Sequence, residues 1–189
     1  MTSASTADPS RCAWVGADPA LSAYHDREWG VPLHGDRALY EKITLEGFQA
    51  GLSWATVLRK RQRFREVFAG FEPAAIAGFG AADVDRMLAD PGIIRNRAKI
   101  EAAIANARVV VAMAPGELDA LIWSFAPAAA VRRPRTAAEV PAATAESAHL
   151  SAALRERGFR FVGPTTMYAL MQSAGLVDDH LAGCWRAAE

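Results

Sequence analysis

The sequence contains no apolar run of about 18 residues, the length that a membrane-spanning helix requires. Its first ten residues, MTSASTADPS, have neither a basic start nor an apolar middle, so they do not resemble a secretory signal. We therefore expect no membrane segment, a cytoplasmic location, and a disordered tail over residues 1–10.

Cysteine is scarce, because the chain has only Cys12 and Cys184, close to its opposite ends. A disulfide between them would suit an oxidising compartment, whereas cytoplasmic thiols stay reduced and need another explanation. Cys12 and His25 are thirteen positions apart, and His180 and Cys184 are four apart. Two thiolates and two imidazoles complete a tetrahedral zinc site with no open position, so the ion would be structural. Each pair alone is equally typical of packed or solvated side chains.

Strand patterns are also lacking, since no segment alternates apolar and polar residues long enough to form a sheet, and no internal repeat is present. Apolar residues recur at helical spacing instead. Helices are predicted from Asp36 to about 51, from Ser53 to about 70, over 82–89 and over about 95–113, and later ones begin near 117, 145 and 165. Asp36 and Ser53 are the predicted N-caps. A turn at 90–92 and an extended connection over 127–144 complete an all-α fold.

The chain has no net charge, but its charges are unevenly distributed. Residues 59–108 contain ten Lys and Arg against six Asp and Glu, and the rest contains eleven against fifteen. A basic middle is compatible with phosphate contact, as in nucleic-acid binding. The same surplus is equally typical of a solvated helix surface.

Aromatic residues cluster near the N-terminus, where Trp14, Tyr24, Trp29 and Trp54 accompany Glu46 in an otherwise apolar segment. A carboxylate among aromatic rings suits a pocket for a flat cationic ligand. The simpler alternatives are a solvent-exposed glutamate and tryptophans that pack in the core.

Six segments together resemble the 3-methyladenine DNA glycosylase I family, in order and at the expected spacing. They are RCAW (11–14), YHDREWGVP (24–32), LEGFQAGLSW (45–54), GIIRNRAKI (92–100), RGFRFVG (157–163) and GLVDDH (175–180). Several long motifs in register are far more specific than any single pattern. The resemblance extends from about Arg11 to Cys184.

The resemblance implies a helix-hairpin-helix glycosylase fold in one catalytic unit, residues 11–189. Residues 41–115 would form the helix-hairpin-helix lobe, and residues 11–40 and 116–186 a lobe tethered by zinc. The hairpin would span residues 90–93, where Gly92 lets the backbone approach a phosphate, and Arg95, Arg97 and Lys99 would add charge. The family's structural Zn²⁺ ligands would be Cys12, His25, His180 and Cys184.

The family's base pocket would consist of Glu46, Tyr24, Trp54 and Trp14, with Trp29 nearby. Where the family can carry a further tyrosine, this chain has Leu21, so the pocket wall would differ there. After Gly51, Leu52 resembles the family's apolar plug, which fills the gap that a flipped base leaves in double-stranded DNA. The alternative is that Leu52 belongs to the core.

The implied activity is hydrolysis of the N-glycosidic bond of 3-methyladenine in DNA, by a monomer. A cationic methylated base is a good leaving group, so Glu46 would act mainly by recognition. Lys42, one helical turn before Glu46, is not expected to form a Schiff base, so the enzyme would be monofunctional and leave an abasic site. A non-catalytic, zinc-stabilised DNA-binding module is the alternative function.

Overall fold

The computed structural model describes residues 10–128 and 132–188. Those residues form helices and turns and contain no strand, which confirms the all-α prediction. The α-helices are α1 (Pro19–Arg27), α2 (Asp36–Gln49), α3 (Trp54–Val67), α4 (Pro73–Ala77), α5 (Ala81–Ala89), α6 (Arg97–Ala112), α7 (Glu117–Trp123), α8 (Ala145–Glu156) and α9 (Pro164–Ser173). Short 3₁₀ turns occupy Ala13–Val15, Ala69–Phe71, Ala137–Glu139 and Trp185–Ala188. Helices α1 and α4 were not predicted, and none of the described helices is long and apolar enough to cross a membrane.

Polar caps explain where several helices begin. The side chain of Ser53 accepts a hydrogen bond from the Thr56 backbone N–H, as the prediction of an N-cap requires. The predicted N-cap at Asp36 is wrong by one residue, because the cap is Gly35 and Asp36 is already helical. The Asp36 carboxylate instead accepts hydrogen bonds from the N–H groups of Gly116 and Asp119, and so caps the start of α7.

Helix α2 is the central element of the fold. It packs against α3, α6, α7 and α9, and its residues from Tyr40 to Phe48 are buried apart from Glu41. A helix that is covered on several sides must bury any polar side chain in its middle. The carboxylate at Glu46 is therefore buried because of where α2 lies, and not because of its own sequence pattern.

Helices α5 and α6 are joined by the predicted turn at Asp90–Gly92, and the two helices pack against each other. The predicted connection over 127–144 is irregular apart from the turn at Ala137–Glu139, and residues 129–131 lie outside the described part of the chain. Nine of the ten residues of the predicted tail also lie outside it. The division into two lobes stays a prediction.

Candidate active site

A cavity of about 390 Å³ opens between α2, α9 and the N-terminal segment. Its lining includes all five residues that the sequence analysis placed in a pocket, namely Trp14, Tyr24, Trp29, Glu46 and Trp54. Residues that are up to 40 positions apart in the sequence therefore meet at one concave surface. Leu21 is not among the described residues that line this cavity.

Glu46 lies in the wall of the cavity with 4% of its surface exposed. Its Oε1 accepts a hydrogen bond of 2.8 Å from the Ser173 hydroxyl. Burial raises the pKa of Glu46 to about 7, and the nearby positive charge of Lys42 only partly offsets this effect. The carboxyl group is thus about half ionised at neutral pH, and a cation in the cavity would stabilise its ionised form.

Lys42 is close to the cavity but is not among the described residues that line it. Its Nζ donates to the Tyr24 hydroxyl over 3.4 Å and lies 5.1 Å from the Tyr24 ring centroid and 5.6 Å from that of Trp54. The side chain lines a separate cavity of about 240 Å³. Burial lowers the pKa of Lys42, although the charges of Glu46 and Glu28 oppose the shift. Lys42 contacts two aromatic residues of the main cavity but is not itself among the described residues that line it.

The aromatic walls contact one another edge to face or at a tilt. The Tyr24 and Trp54 centroids are 5.2 Å apart, and those of Trp14 and Trp29 are also 5.2 Å apart. Tyr24 is fully buried, whereas Trp14 is 41% exposed at the rim. Such a lining offers several ring faces to a flat ligand that carries positive charge.

Sequence analysis missed four polar residues of the lining, namely Gln49, Gln172, Ser173 and Asp179. Asp179 is buried, and its Oδ2 accepts hydrogen bonds from the Tyr168 hydroxyl (2.7 Å) and the Gln172 amide (2.8 Å). A second carboxylate therefore shares the cavity with Glu46. The signal that could have indicated it is its place in the GLVDDH segment, next to His180.

The two chain ends meet beside this cavity, at a cluster of predicted metal ligands. The ligand atoms of Cys12, His25 and Cys184 all lie within 4.8 Å of one another, and all three residues are buried. The Cys184 sulfur is 3.3 Å from His25 Nε2. Trp29 lies between the cluster and the cavity, because its ring packs on His180 at 4.5 Å and on Trp14.

His180, the fourth predicted ligand, lies beside these three residues but outside the group whose ligand atoms all lie within 4.8 Å of one another. Its imidazole centroid is 5.0 Å from that of His25, and its buried Nε2 has no hydrogen-bond partner. The Nδ1 atoms of both histidines contact carboxylates at 2.9 Å, His25 with Asp26 and His180 with Asp178. Carboxylates that hold Nδ1 leave Nε2 for a metal, an arrangement typical of metal-binding histidines. Two thiols and two imidazoles are a donor set that fits zinc by its chemistry, and three of these donors are already grouped closely enough to share an ion.

The predicted DNA contacts divide into exposed and buried groups. Leu52 is 45% exposed and follows Gly51, whose φ of 81° favours glycine, so the structure excludes the interpretation of Leu52 as a core residue. Arg95 is exposed next to the turn between α5 and α6. Arg97 is exposed but pairs with Asp85 at 2.7 Å.

Lys99 does not occupy the position that a phosphate contact needs. Its side chain is largely buried, and its Nζ donates to the carbonyl oxygens of Phe48 (3.0 Å) and Ala50 (2.6 Å). Lysine can satisfy the last carbonyls of a helix in this way, so Lys99 fixes the end of α2 and the approach to Gly51. The structure thus gives Lys99 partners inside the protein, which disfavours a direct phosphate contact, and its predicted role in DNA binding stays a prediction.

The structure gives a further reason for glycine at position 92, beside the predicted approach to a phosphate. A Cβ at this position would lie 2.6 Å from Arg63 Cγ, so glycine makes room for the arginine side chain. The Gly92 N–H donates to Asp90 Oδ1 at 2.7 Å and is therefore already engaged. Asp90 also accepts from Arg63 Nε at 2.7 Å. Internal bonds thus stabilise the turn.

Most of the basic surplus over residues 59–108 is neutralised locally. Acidic partners lie within 3.6 Å of the guanidinium groups of Arg59, Arg61, Arg63, Arg65, Arg86 and Arg97. Arg108 donates to the carbonyl oxygens of Ala77 and Phe79. Charge composition alone therefore overstated the free positive surface, as its alternative interpretation allowed.

Comparison with known proteins gives consistent results. The family model for methyladenine glycosylases matches residues 14–187. DNA-3-methyladenine glycosylase 1 of Escherichia coli is 49% identical over 178 residues, which cover 92% of this chain and 95% of that protein. A crystal structure of 3-methyladenine DNA glycosylase I superposes with a TM-score of 0.89 at 46% identity, over 93% of this chain and 98% of the other. A variant solved in complex with 3-methyladenine gives a TM-score of 0.84 at 33% identity, over 93% and 96% of the two chains.

The fold and the cavity define a helical protein with an aromatic pocket built around a buried carboxylate. Its similarity to the matched proteins covers more than nine-tenths of the chain, and the family model spans every residue of the cavity lining from Trp14 to Leu181. The chain belongs to the methyladenine glycosylase family.

Proposed function

We propose that this protein is a DNA glycosylase that hydrolyses the N-glycosidic bond of 3-methyladenine in DNA. The observation that carries the proposal is the cavity in which Glu46 lies buried among aromatic rings. Relatives that match nearly the whole chain are named as DNA-3-methyladenine glycosylases, and one related structure contains 3-methyladenine.

The cavity favours a cationic base over a neutral one. Ionised Glu46 accepts hydrogen bonds from the base and opposes its charge, and the Ser173 hydroxyl holds the carboxylate in place. Trp14, Tyr24 and Trp54 offer ring faces, each worth about 1–2 kcal/mol toward a desolvated cation. Methylation at N3 puts a positive charge on adenine, so selectivity arises from charge as well as from shape.

The same positive charge makes the base a good leaving group, so water can complete the reaction without a strong general acid. A covalent route would need an amine in contact with the sugar. Lys42, the lysine considered for this role, is not among the described residues that line the main cavity and lines a separate one. This position supports a monofunctional enzyme that leaves an abasic site.

The substrate base must leave the duplex to enter the cavity. Leu52, exposed at the end of α2, is proposed to fill the space that the base vacates. The turn over 90–93 and the N-terminus of α6, flanked by Arg95, are proposed to form a helix-hairpin-helix element that contacts the phosphate backbone. Lys99 would contribute indirectly, through the helix end that it fixes.

A structural zinc ion is proposed at Cys12, His25, His180 and Cys184. The unpartnered Nε2 of His180 and the three clustered ligand atoms support it. Four protein ligands leave no position for substrate, so the ion would join the chain ends and hold Trp29 against the cavity. Its binding free energy would add to the stability of the fold.

The deciding experiment measures free bases released from methylated duplex DNA by chromatography. Wild type is expected to release 3-methyladenine, and Glu46→Gln, which keeps the side-chain shape, is expected to release at least about 100-fold less at equal enzyme. Glu156→Gln is the matched control, because this exposed carboxylate at the end of α8 is not part of the cavity lining.

If wild type releases no base yet binds duplex DNA, the chain is a binding module and the proposed activity is wrong. If the DNA strand breaks without added alkali or nuclease, the monofunctional reaction is contradicted.

A further inference from the structure

The turn between α8 and α9 presents two side chains that the proposed chemistry does not use. It corresponds to the segment RGFRFVG over residues 157–163. Phe159 and Val162 are buried, whereas Arg160 is exposed and Phe161 is 43% exposed. Two apolar anchors therefore hold the turn and leave a cation and an aromatic ring outside.

An internal amide holds the turn rigidly. The side chain of Asn106, buried in α6, accepts from the Arg160 N–H at 2.8 Å and donates to the Arg160 carbonyl oxygen at 3.1 Å. The backbone of Arg160 is thus fixed from both sides, while no hydrogen bond or ion pair within residues 10–128 and 132–188 engages its guanidinium group. This positive charge remains available to an external partner.

Phe161 adopts a backbone conformation that an aromatic residue rarely has. Its φ is 56°, in the left-handed region that favours glycine. Strained backbone of this kind persists where the surrounding structure enforces it and is frequent at functional sites. Here the strain turns an aromatic ring toward solvent instead of toward the core.

The turn lies near the end of α2 that carries Leu52. A Cβ added to Gly47 would be only 3.5 Å from Phe161 Cβ, so the turn packs directly on α2. Arg160 and Phe161 also line a shallow cleft with Phe48 and Lys99. Because Lys99 binds the carbonyl oxygen of Ala50, this cleft adjoins the loop of Gly51 and Leu52.

We propose that Arg160 and Phe161 form a second contact with duplex DNA, beside the Leu52 loop. This inference rests on the proposed function, because the duplex is the occupant to which it commits. Arg160 would bind a backbone phosphate, and Phe161 would contact a base or sugar next to the flipped nucleotide. The arrangement would hold the distorted duplex on two sides of the cavity.

The test measures binding to a duplex with a stable abasic-site analogue, by fluorescence anisotropy at several salt concentrations. Phe161→Ala is expected to weaken binding about five- to tenfold. Arg160→Gln is expected to weaken it and to reduce the slope of log K against log salt by about one. Both variants should bind free 3-methyladenine as wild type does, because neither residue lines the cavity.

Two matched controls separate this contact from general surface effects. Val111→Ala removes an exposed apolar side chain (52%) near the far end of α6, and Arg37→Gln removes an exposed charge near the far end of α2. Both should bind like wild type. Phe161→Gly should melt no lower than Phe161→Ala, because glycine relieves the backbone strain that alanine keeps, while both variants bind DNA more weakly than wild type.

Wild-type affinity in both Phe161 variants and in Arg160→Gln would overturn the proposal. Equal loss of free-base binding would also overturn it, since that result assigns the turn to the pocket. Base release by wild type is measured in parallel. If wild type releases no base, the proposed activity is refuted. Weaker DNA binding by the variants would support the second contact in either case.

Discussion

Replacing Glu46 by glutamine should remove the loss of stability that wild type suffers as the pH rises, while it disables the pocket. The glutamate is buried, and burial raises its pKa from 4.5 to about 7. Glutamine has nearly the same shape, keeps an oxygen that accepts from Ser173, and carries no charge. The substitution therefore removes a buried ionisable group at a site where function requires one.

The magnitude follows from the pKa difference. At about 1.4 kcal/mol per pKa unit, ionising Glu46 costs about 3 kcal/mol more in the folded protein than in the unfolded chain. The folded state binds more protons than the unfolded state between pH 4.5 and about 7, so the stability of wild type falls as pH rises through that window. About 2 kcal/mol of this loss lies between pH 5.5 and pH 8.

Urea unfolding of wild type and Glu46→Gln at several pH values between these limits measures the effect. The free energy of unfolding of the variant minus that of wild type should grow by about 2 kcal/mol from the acidic to the alkaline end. The unpaired amide N–H groups of glutamine add a destabilising contribution of about 1–3 kcal/mol, but it does not depend on pH. Glu156→Gln, an exposed control, should show no such trend.

A difference that stays constant with pH would refute the reasoning, because Glu46 would then have the same proton affinity in both states. A difference that shrinks toward alkaline pH would mean that the pKa of Glu46 is lowered and that its positive neighbours outweigh its burial.

Three further predictions concern the pocket, the chain ends and the turn between α5 and α6. The kcat/KM for base release should rise with pH around a midpoint near 7, as Glu46 ionises, and a flat profile would contradict this role. Cys184→Ala or chelation should lower the melting temperature by about 10 °C or more while changing the initial rate much less, and an unaltered melting temperature would refute the proposed zinc site. Lys99→Met should destabilise the fold by about 2 kcal/mol and leave the salt slope of DNA binding unchanged, whereas Arg95→Gln should reduce that slope by about one. The reverse pattern would restore Lys99 as a phosphate contact.

The sequence by itself determined the helical fold class, most of the helices and five residues of the pocket lining. Periodicity and caps such as Ser53 are local, so they can be interpreted without a structure. The residues of the pocket were recognisable because several long segments resembled one family in register. Helix α4 was missed because its five residues are too short to show periodicity.

Tertiary structure alone decided what individual polar residues do. Lys99 and Gly92 both lie in a basic segment. In the folded protein, however, Lys99 donates to a carbonyl oxygen at the end of α2, and the Arg63 side chain packs against Gly92. Asp179 entered the pocket and Asp36 became the cap of a distant helix for the same reason. Composition and spacing specify which groups a chain carries, but a hydrogen bond or an ion pair depends on which groups the fold brings within about 3 Å of each other.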